Sequence, residues 1–112
     1  MDVTVERHGE IAVVLVSGSI DANTAPDLAT ALSGQIQQGS TRLVADFSAV
    51  AYTSSAGLRA LLGTLKEARL HGGDFRLAAV RPGVFRVLEL SGFTSILKYF
   101  PDVQGAVESF AG

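Results

Sequence analysis

The spacing of apolar residues along the chain alternates between the two-residue period of strands and the longer period of helices. Residues 3–7 alternate apolar and polar side chains, as in a half-buried strand, and His8-Gly9 then makes a tight turn. Residues 10–17 form a β-branched run typical of a central strand, so the two segments predict an N-terminal hairpin. Further strands are predicted at residues 43–47, 75–80 and, as a short edge strand, 97–100.

Four segments have helical periodicity and recognisable ends. The first begins near Thr24, with Pro26 just inside its start, and Gly39 ends it. The second covers residues 55–70, carries leucines on one face and is followed by Gly72-Gly73. A third begins at Pro82 and ends at Gly92, and Asp102 is placed to cap a fourth.

The order of these elements predicts an α/β fold. Strands separated by helices require right-handed crossovers, and the opening hairpin adds an antiparallel strand. We therefore expect one domain over residues 1–112, with a mixed four- to five-stranded sheet and about four helices packed mainly on one face.

Composition narrows the possible functions. A length of 112 residues, no cysteine and a formal net charge of -2 exclude a disulfide framework and thiolate chemistry, and give a nucleic-acid surface no electrostatic support. The longest apolar run, residues 11–16, is far shorter than the ~20 residues of a membrane span, and the first ten residues lack a signal-peptide run. These features predict a cytoplasmic protein without a membrane partner.

Groups for catalysis or metal binding are scarce. His8 in the hairpin turn and His71 at a helix end have no ligand partners at suitable spacing. Asp21 follows a central strand, and Asp46 lies within an apolar strand, where we expect a buried carboxylate that accepts hydrogen bonds from a neighbouring loop. Two carboxylates without a nucleophile do not make a hydrolase, so we predict no enzyme, no metal and no cofactor.

The informative segment is residues 52–59, which joins a strand to the second helix. Thr53, Ser54 and Ser55 place three hydroxyls in a row, whereas a helix cap needs only one. A phosphate on a serine here meets free backbone N–H groups and the positive end of the helix dipole. The residues alone therefore leave two interpretations open, a simple cap and a phosphorylation switch.

Five blocks of the sequence, in order, resemble a STAS domain, and the whole chain is similar to stand-alone bacterial anti-sigma factor antagonists. The blocks are residues 18–25, 46–48, 54–62, 72–73 and 82–92. The most specific is Ser-Ser-Ala-Gly-Leu-Arg at residues 54–59, followed by Gly72-Gly73 after its helix.

The resemblance implies a partner-switching regulator. The unphosphorylated antagonist binds an anti-sigma factor that is also a serine kinase with a histidine-kinase-like ATPase fold. Phosphorylation of the antagonist releases it from the kinase, and a PP2C-type phosphatase restores the unphosphorylated form.

The alternative within the family is a constitutive accessory subunit of a transporter or other complex that is not phosphoregulated. A small-ligand sensor would need a pocket that the small residues of this segment do not obviously build. A monomer is expected, although an exposed sheet edge offers a route to a dimer.

The resemblance also assigns residues. It places the phosphorylated serine at Ser55, with Ser54 as the alternative acceptor in the position of the family's Asp and Ala56 in that of its second Ser. It places Asp21 in an adjacent loop, and Ser91-Gly92-Phe93 in another loop on the same rim. Beyond the family pattern, Phe85 and Phe93 are candidate aromatic anchors, with Phe93 expected to be buried. The predicted partner-binding residues are Asp21, Asn23, Thr24, Thr53, Ser54, Ser55, Ala56, Gly57, Arg59, Ser91, Gly92 and Phe93.

Overall fold

Nine regular elements build the fold in the computed structural model, which describes residues 1–111. Gly112, included in the predicted domain, lies outside the described residues. A short 3₁₀ turn at Phe93–Ser95 precedes the last strand. In chain order the elements are β1 (Asp2–His8), β2 (Ile11–Ile20), α1 (Ala25–Gln37), β3 (Arg42–Thr53), α2 (Ser55–Leu70), β4 (Asp74–Ala78), α3 (Pro82–Leu90), β5 (Lys98–Phe100) and α4 (Val103–Glu108).

The five strands form one mixed sheet in the order β1-β2-β3-β4-β5. β1 is antiparallel to β2, and each later pair is parallel. The predicted mixed sheet is therefore confirmed, with five strands. Because β2, β3 and β4 run in the same direction, their carboxyl ends share one edge, here called the carboxyl edge.

The helices cover the two faces of the sheet unequally. Leu32 of α1, Leu61 of α2 and Leu88 of α3 are fully buried in one core, together with Phe47 of β3. The three parallel crossovers progress in one direction across the sheet, so their right-handedness places α1, α2 and α3 on the same face. α4 follows the last strand, is free of that constraint, and packs Ala106 against the opposite face. The prediction of about four helices mainly on one face is thus confirmed.

The second and third strands are longer than predicted. β2 runs to Ile20, and β3 continues through residues 48–53, which the sequence indicated as a connection. Pairing with β2 continues along this segment, with register shifts at Leu15/Ser17 and Gly18/Ser19 that mark bulges. Small residues suit such an irregular pair because they pack without clashes. Strand pairing therefore overrides the loop-like local composition.

Asp46 lies beside the first of these irregularities and differs from expectation. The prediction of a buried carboxylate bonded to a neighbouring loop is wrong: Asp46 is only half-buried, and its Oδ1 accepts from the backbone N–H of Ser48 in the same strand at 2.9 Å. The carboxylate has a local structural role, since it satisfies an N–H group close to the bulge.

The connection from α2 to β4 depends on two glycines. Gly72 has φ +84°, which favours glycine, and it ends the helix. Gly73 lies against Thr41, and a Cβ at this position would overlap the Thr41 backbone carbonyl. The N–H of Asp74 donates to that same carbonyl at 3.0 Å, so β4 enters the sheet with no space for a side chain at position 73.

Gly73→Ala is expected to destabilise the protein by about 1–3 kcal/mol, because the new methyl group displaces backbone rather than a flexible side chain. The matched control is Gly63→Ala in α2, where a Cβ meets no atom within 4 Å. That variant is expected to gain about 0.5–1 kcal/mol from helix propensity. Urea unfolding followed by circular dichroism measures both, and equal stabilities of the two variants would contradict the packing argument.

Candidate functional site

The candidate site forms where β3 passes directly into α2 at the carboxyl edge. Thr53, the last residue of β3, is paired with Ile20, the last residue of β2. The N–H of Ser54 then donates to the Ile20 carbonyl at 2.8 Å. This bond fixes the start of α2 beside the loop after β2, so residues 21–24 and 52–59 adjoin. We call these two segments the rim.

The three consecutive hydroxyls of the rim have different environments. Thr53 is buried, with a relative exposure of 3%. Ser54 is the N-cap of α2, and its Oγ accepts from the Gly57 N–H at 3.3 Å. Ser55 is the first helical residue, is exposed, and its hydroxyl makes no hydrogen bond within residues 1–111. One serine therefore serves the cap, and its neighbour has an accessible hydroxyl.

Gly57 allows α2 to begin this close to the sheet. A Cβ at position 57 would overlap Thr53 Oγ1 and lie 2.8 Å from Cγ2 of Ile20. The buried Gly57 therefore lets the first turn of α2 pack on the paired ends of β2 and β3. Sequence reasoning identified Gly57 through its motif but missed Ile20, because an isoleucine at a strand end carries no sign of its helix contact.

The loop after β2 is organised around Asp21. Its Oδ1 accepts from the N–H groups of Asn23 at 2.9 Å and Thr24 at 3.0 Å. Hydrogen bonds from the backbone of Thr24 and Asn23, with a smaller contribution from the Thr24 hydroxyl, hold the pKa of Asp21 below its ordinary value. The carboxylate is thus charged at neutral pH and occupied by its own loop.

Thr24 occupies the N-cap position of α1, but its side chain does not cap the helix as predicted. Its Oγ1 accepts from the Asp21 N–H at 2.8 Å and lies 3.0 Å from the Ser19 carbonyl, to which it can donate. The hydroxyl therefore closes the loop instead of serving the first helical turn. Pro26, just inside the helix start, lacks an N–H and so needs no such partner.

A shallow groove of about 430 Å³ separates α1 from α2 next to Ser55. Arg59 is its only charged lining residue and is exposed. Tyr52, on the β3 side of the rim, is 52% exposed and was not predicted as a site residue. Its signal in the sequence was a single aromatic side chain within a run of small residues. Besides Arg59, the residues that line the groove between α1 and α2 are Ala22, Ala25, Pro26, Ala29, Ala56 and Ala60.

Comparison with known proteins agrees with this geometry. The STAS domain family matches residues 2–106. The chain belongs to the STAS domain family. It is 32% identical over 94 residues to the anti-sigma-B factor antagonist of Listeria monocytogenes, covering 83% of this chain and 82% of that protein. It is 30% identical over 112 residues to the anti-sigma-F factor antagonist RsfB of Mycobacterium tuberculosis, covering 98% and 89%.

Solved structures with a similar fold include anti-sigma factor antagonists. A crystal structure of an anti-sigma factor antagonist from Mycobacterium paratuberculosis superposes with a TM-score of 0.90 at 32% identity, over 99% of this chain and 94% of that one. Unphosphorylated SpoIIAA, an anti-sigma factor antagonist, shares the fold with a TM-score of 0.85 at 21% identity, over 99% and 97%. These relatives of the STAS domain are thus anti-sigma factor antagonists.

One expected part of the rim lies elsewhere in this STAS domain. Ser91, Gly92 and Phe93 follow α3, which begins after the carboxyl end of β4 and returns to the opposite edge before β5 starts. Arg69, near the end of α2, donates to the Ile96 carbonyl at 2.9 Å, which anchors this segment at that opposite edge. The prediction that it shares a rim with Ser55 is wrong, because the direction of α3 carries it away.

The two candidate aromatic anchors are both half-buried. Phe93, which was expected to be buried, is half-buried and packs against the main core. Phe85 contacts Tyr99 edge to face, with ring centroids 5.2 Å apart. Burial raises the pKa of the Tyr99 phenol to about 12, so the phenol is neutral at physiological pH. Phe85 therefore contributes to packing between α3 and β5, away from the rim.

The acidic residues and histidines of the described chain are scattered over its surface and do not cluster. Among residues 1–111, no group of three or more His, Cys, Asp or Glu side chains could hold a metal ion. His8 lies 3.5 Å from Glu6, and His71 Nδ1 lies 2.9 Å from the Glu67 carbonyl. No helix within that range is long and apolar enough to cross a bilayer.

Separate replacement of Ser54 and Ser55 tests whether Ser54 caps α2 and whether the Ser55 hydroxyl is free. Ser54→Ala is expected to destabilise the STAS domain by about 1 kcal/mol, because the Gly57 N–H loses its acceptor. Ser55→Ala is the matched control and is expected to change stability by less than about 0.5 kcal/mol. Thermal and urea unfolding measure both, and a larger loss for Ser55→Ala would reverse the assignment.

Proposed function

We propose that this STAS domain is a phosphoregulated antagonist that binds an anti-sigma factor through the rim and is released when Ser55 is phosphorylated. The observation that carries the proposal is the exposed, unengaged Ser55 hydroxyl next to a serine that already caps α2. An acceptor for a kinase has to be accessible, and its modification has to leave the fold intact.

The two candidate serines differ in what a phosphate would disrupt. Phosphorylation of Ser54 would take its oxygen from the Gly57 N–H and add charge at a half-buried position whose backbone N–H bonds to the Ile20 carbonyl. Phosphorylation of Ser55 breaks no hydrogen bond within residues 1–111. These contacts favour Ser55 as the acceptor.

The rim also has the character of a surface that meets another protein. Tyr52 offers an exposed aromatic ring, and aromatic and arginine side chains are common anchors of protein interfaces. Asn23 and Arg59 are exposed beside Ser55, whereas Asp21, half-buried, shapes the adjoining loop. The kinship with anti-sigma factor antagonists supports an anti-sigma factor as the partner.

Phosphorylation of Ser55 would change the charge of the rim strongly. The partner, proposed to be a serine kinase with a histidine-kinase-like ATPase fold, transfers the γ-phosphoryl group of ATP to Ser55 Oγ. The Oγ–P bond forms, the bond to ADP breaks, and the hydroxyl proton is released. The phosphate adds about -1.5 to -2 charges. The formal net charge of the chain is -2, so the total roughly doubles at one point of the rim.

The same proposal includes the return step. A PP2C-type phosphatase hydrolyses the phosphate and restores the neutral hydroxyl that the partner accepts. The protein itself supplies no catalytic group, and it acts as a monomer that is a substrate and binding partner in turn.

Phosphate transfer is tested by incubating the protein with ATP and with purified serine kinases of the histidine-kinase-like ATPase fold from the source genome. Intact-protein mass spectrometry measures the phosphate gained. The wild type and Ser54→Ala are expected to gain one phosphate, and Ser55→Ala none. Calorimetric binding to the same kinases is expected to be at least about tenfold weaker for Ser55→Glu than for Ser55→Ala, because the added carboxylate changes the charge of the surface that the partner contacts as a neutral hydroxyl.

Two outcomes would overturn the proposal. A phosphate that persists in Ser55→Ala would move the acceptor to Ser54 or Thr53. Equal affinity of Ser55→Glu and Ser55→Ala for a kinase that binds the wild type would show constitutive binding. That second result is expected of an accessory subunit that is not phosphoregulated.

A further inference from the structure

Arg59 lies one helical turn after Ser55 on the same side of α2. Residues four apart on a helix have Cβ atoms about 5–6 Å apart, and an anionic side chain four residues before a cationic one is the favoured orientation. Both side chains are exposed, so both are free to reorient towards each other.

Arg59 has no other charged or polar partner in the described chain. The ion pairs within residues 1–111 are His8–Glu6, Arg69–Asp74 and Arg76–Asp74. The arginine hydrogen bonds in the same range come from Arg7, Arg69, Arg76 and Arg81. The guanidinium of Arg59 is therefore available.

Asp21 of the adjoining loop and Asp27 in the first turn of α1 form no ion pair with Arg59 within residues 1–111. No acidic residue lies between Asp46 and Glu67, and the first turn of α2 contains none. The groove beside Arg59 is lined by alanines and one proline. Asp21, the acidic residue of the neighbouring loop, already accepts from two N–H groups of its own loop.

We propose that Arg59 binds the phosphate of phosphorylated Ser55 within the same chain. The planar guanidinium matches the phosphate oxygens and donates two hydrogen bonds to them. Phosphorylation then changes the rim in two ways at once. It adds a phosphate, and it withdraws from the partner the only cation of residues 52–59.

Ser54 is uncharged, so it does not repel a phosphate on the neighbouring Ser55. A carboxylate at position 54 would adjoin the phosphate and repel it, whereas the Ser54 hydroxyl is directed to the Gly57 N–H. The phosphate therefore meets Arg59 without a negative neighbour along the chain. The inference rests on the proposed function only for its physiological setting, since the pairing itself needs no partner protein.

The test uses the full chain with phosphoserine installed at position 55 during translation, followed by ³¹P NMR at low ionic strength. The second pKa of an unperturbed phosphoserine is about 6. Pairing with Arg59 is expected to lower it, and Arg59→Gln to raise it by about 0.3 pH unit relative to the wild type. Arg59→Lys is expected to retain part of the effect, because it keeps the charge but loses the planar fork.

The matched control is Lys66→Gln, which removes an exposed cation from the same helix about 16 Å along its axis from Ser55. Its titration is expected to match that of the wild type. Identical midpoints for the wild type and Arg59→Gln would overturn the inference. So would equal effects of Arg59→Gln and Lys66→Gln, which would indicate net charge and not a pair.

Failure of this inference is distinguishable from failure of the proposed function. If the kinases modify Ser55 but the midpoint is independent of Arg59, only the intramolecular pair is lost. If no kinase modifies Ser55, the proposed function fails, and the titration still reports whether Arg59 binds phosphate.

Discussion

The close approach of Gly57 to the ends of β2 and β3 is the constraint on which the rest of the site depends. The first turn of α2 rests on Ile20 and Thr53, and the Ser54 N–H bonds to the Ile20 carbonyl at 2.8 Å. Any side chain at position 57 would push the helix outwards. With the helix seated, one serine faces inwards to the cap and the next faces solvent.

The sheet supplies the frame for this contact. Parallel β2 and β3 end at the same edge, so the Asp21 loop and the start of α2 meet there although they lie about thirty residues apart in the sequence. Bulges allow β3 to continue to Thr53, which pairs with Ile20 at the end of β2. The buried core beneath holds this edge in place, and under the proposed function a partner protein supplies the chemistry that acts on Ser55.

The electrostatics of the rim are sparse, which suits a switch. Asp21 is charged but tied to its own loop, and Arg59 is the available cation next to Ser55. On such a surface a phosphate on Ser55 would be the dominant local charge. The same modification in a dense network of ion pairs would be partly compensated and would change the surface less.

Local signals in the sequence determined the α/β class, the helix boundaries and the hydroxyl-rich start of α2, because periodicity, caps and glycines act within a few residues. The family resemblance rested on the same short motifs. Only the tertiary structure decided that residues 48–53 form strand, since pairing with β2 is a long-range interaction. It also decided which serine is free, because the Ser54 hydroxyl accepts from the Gly57 N–H whereas Ser55 is exposed. It placed Ser91–Gly92–Phe93 at the opposite edge, because the direction of α3 follows from the crossover and not from local composition.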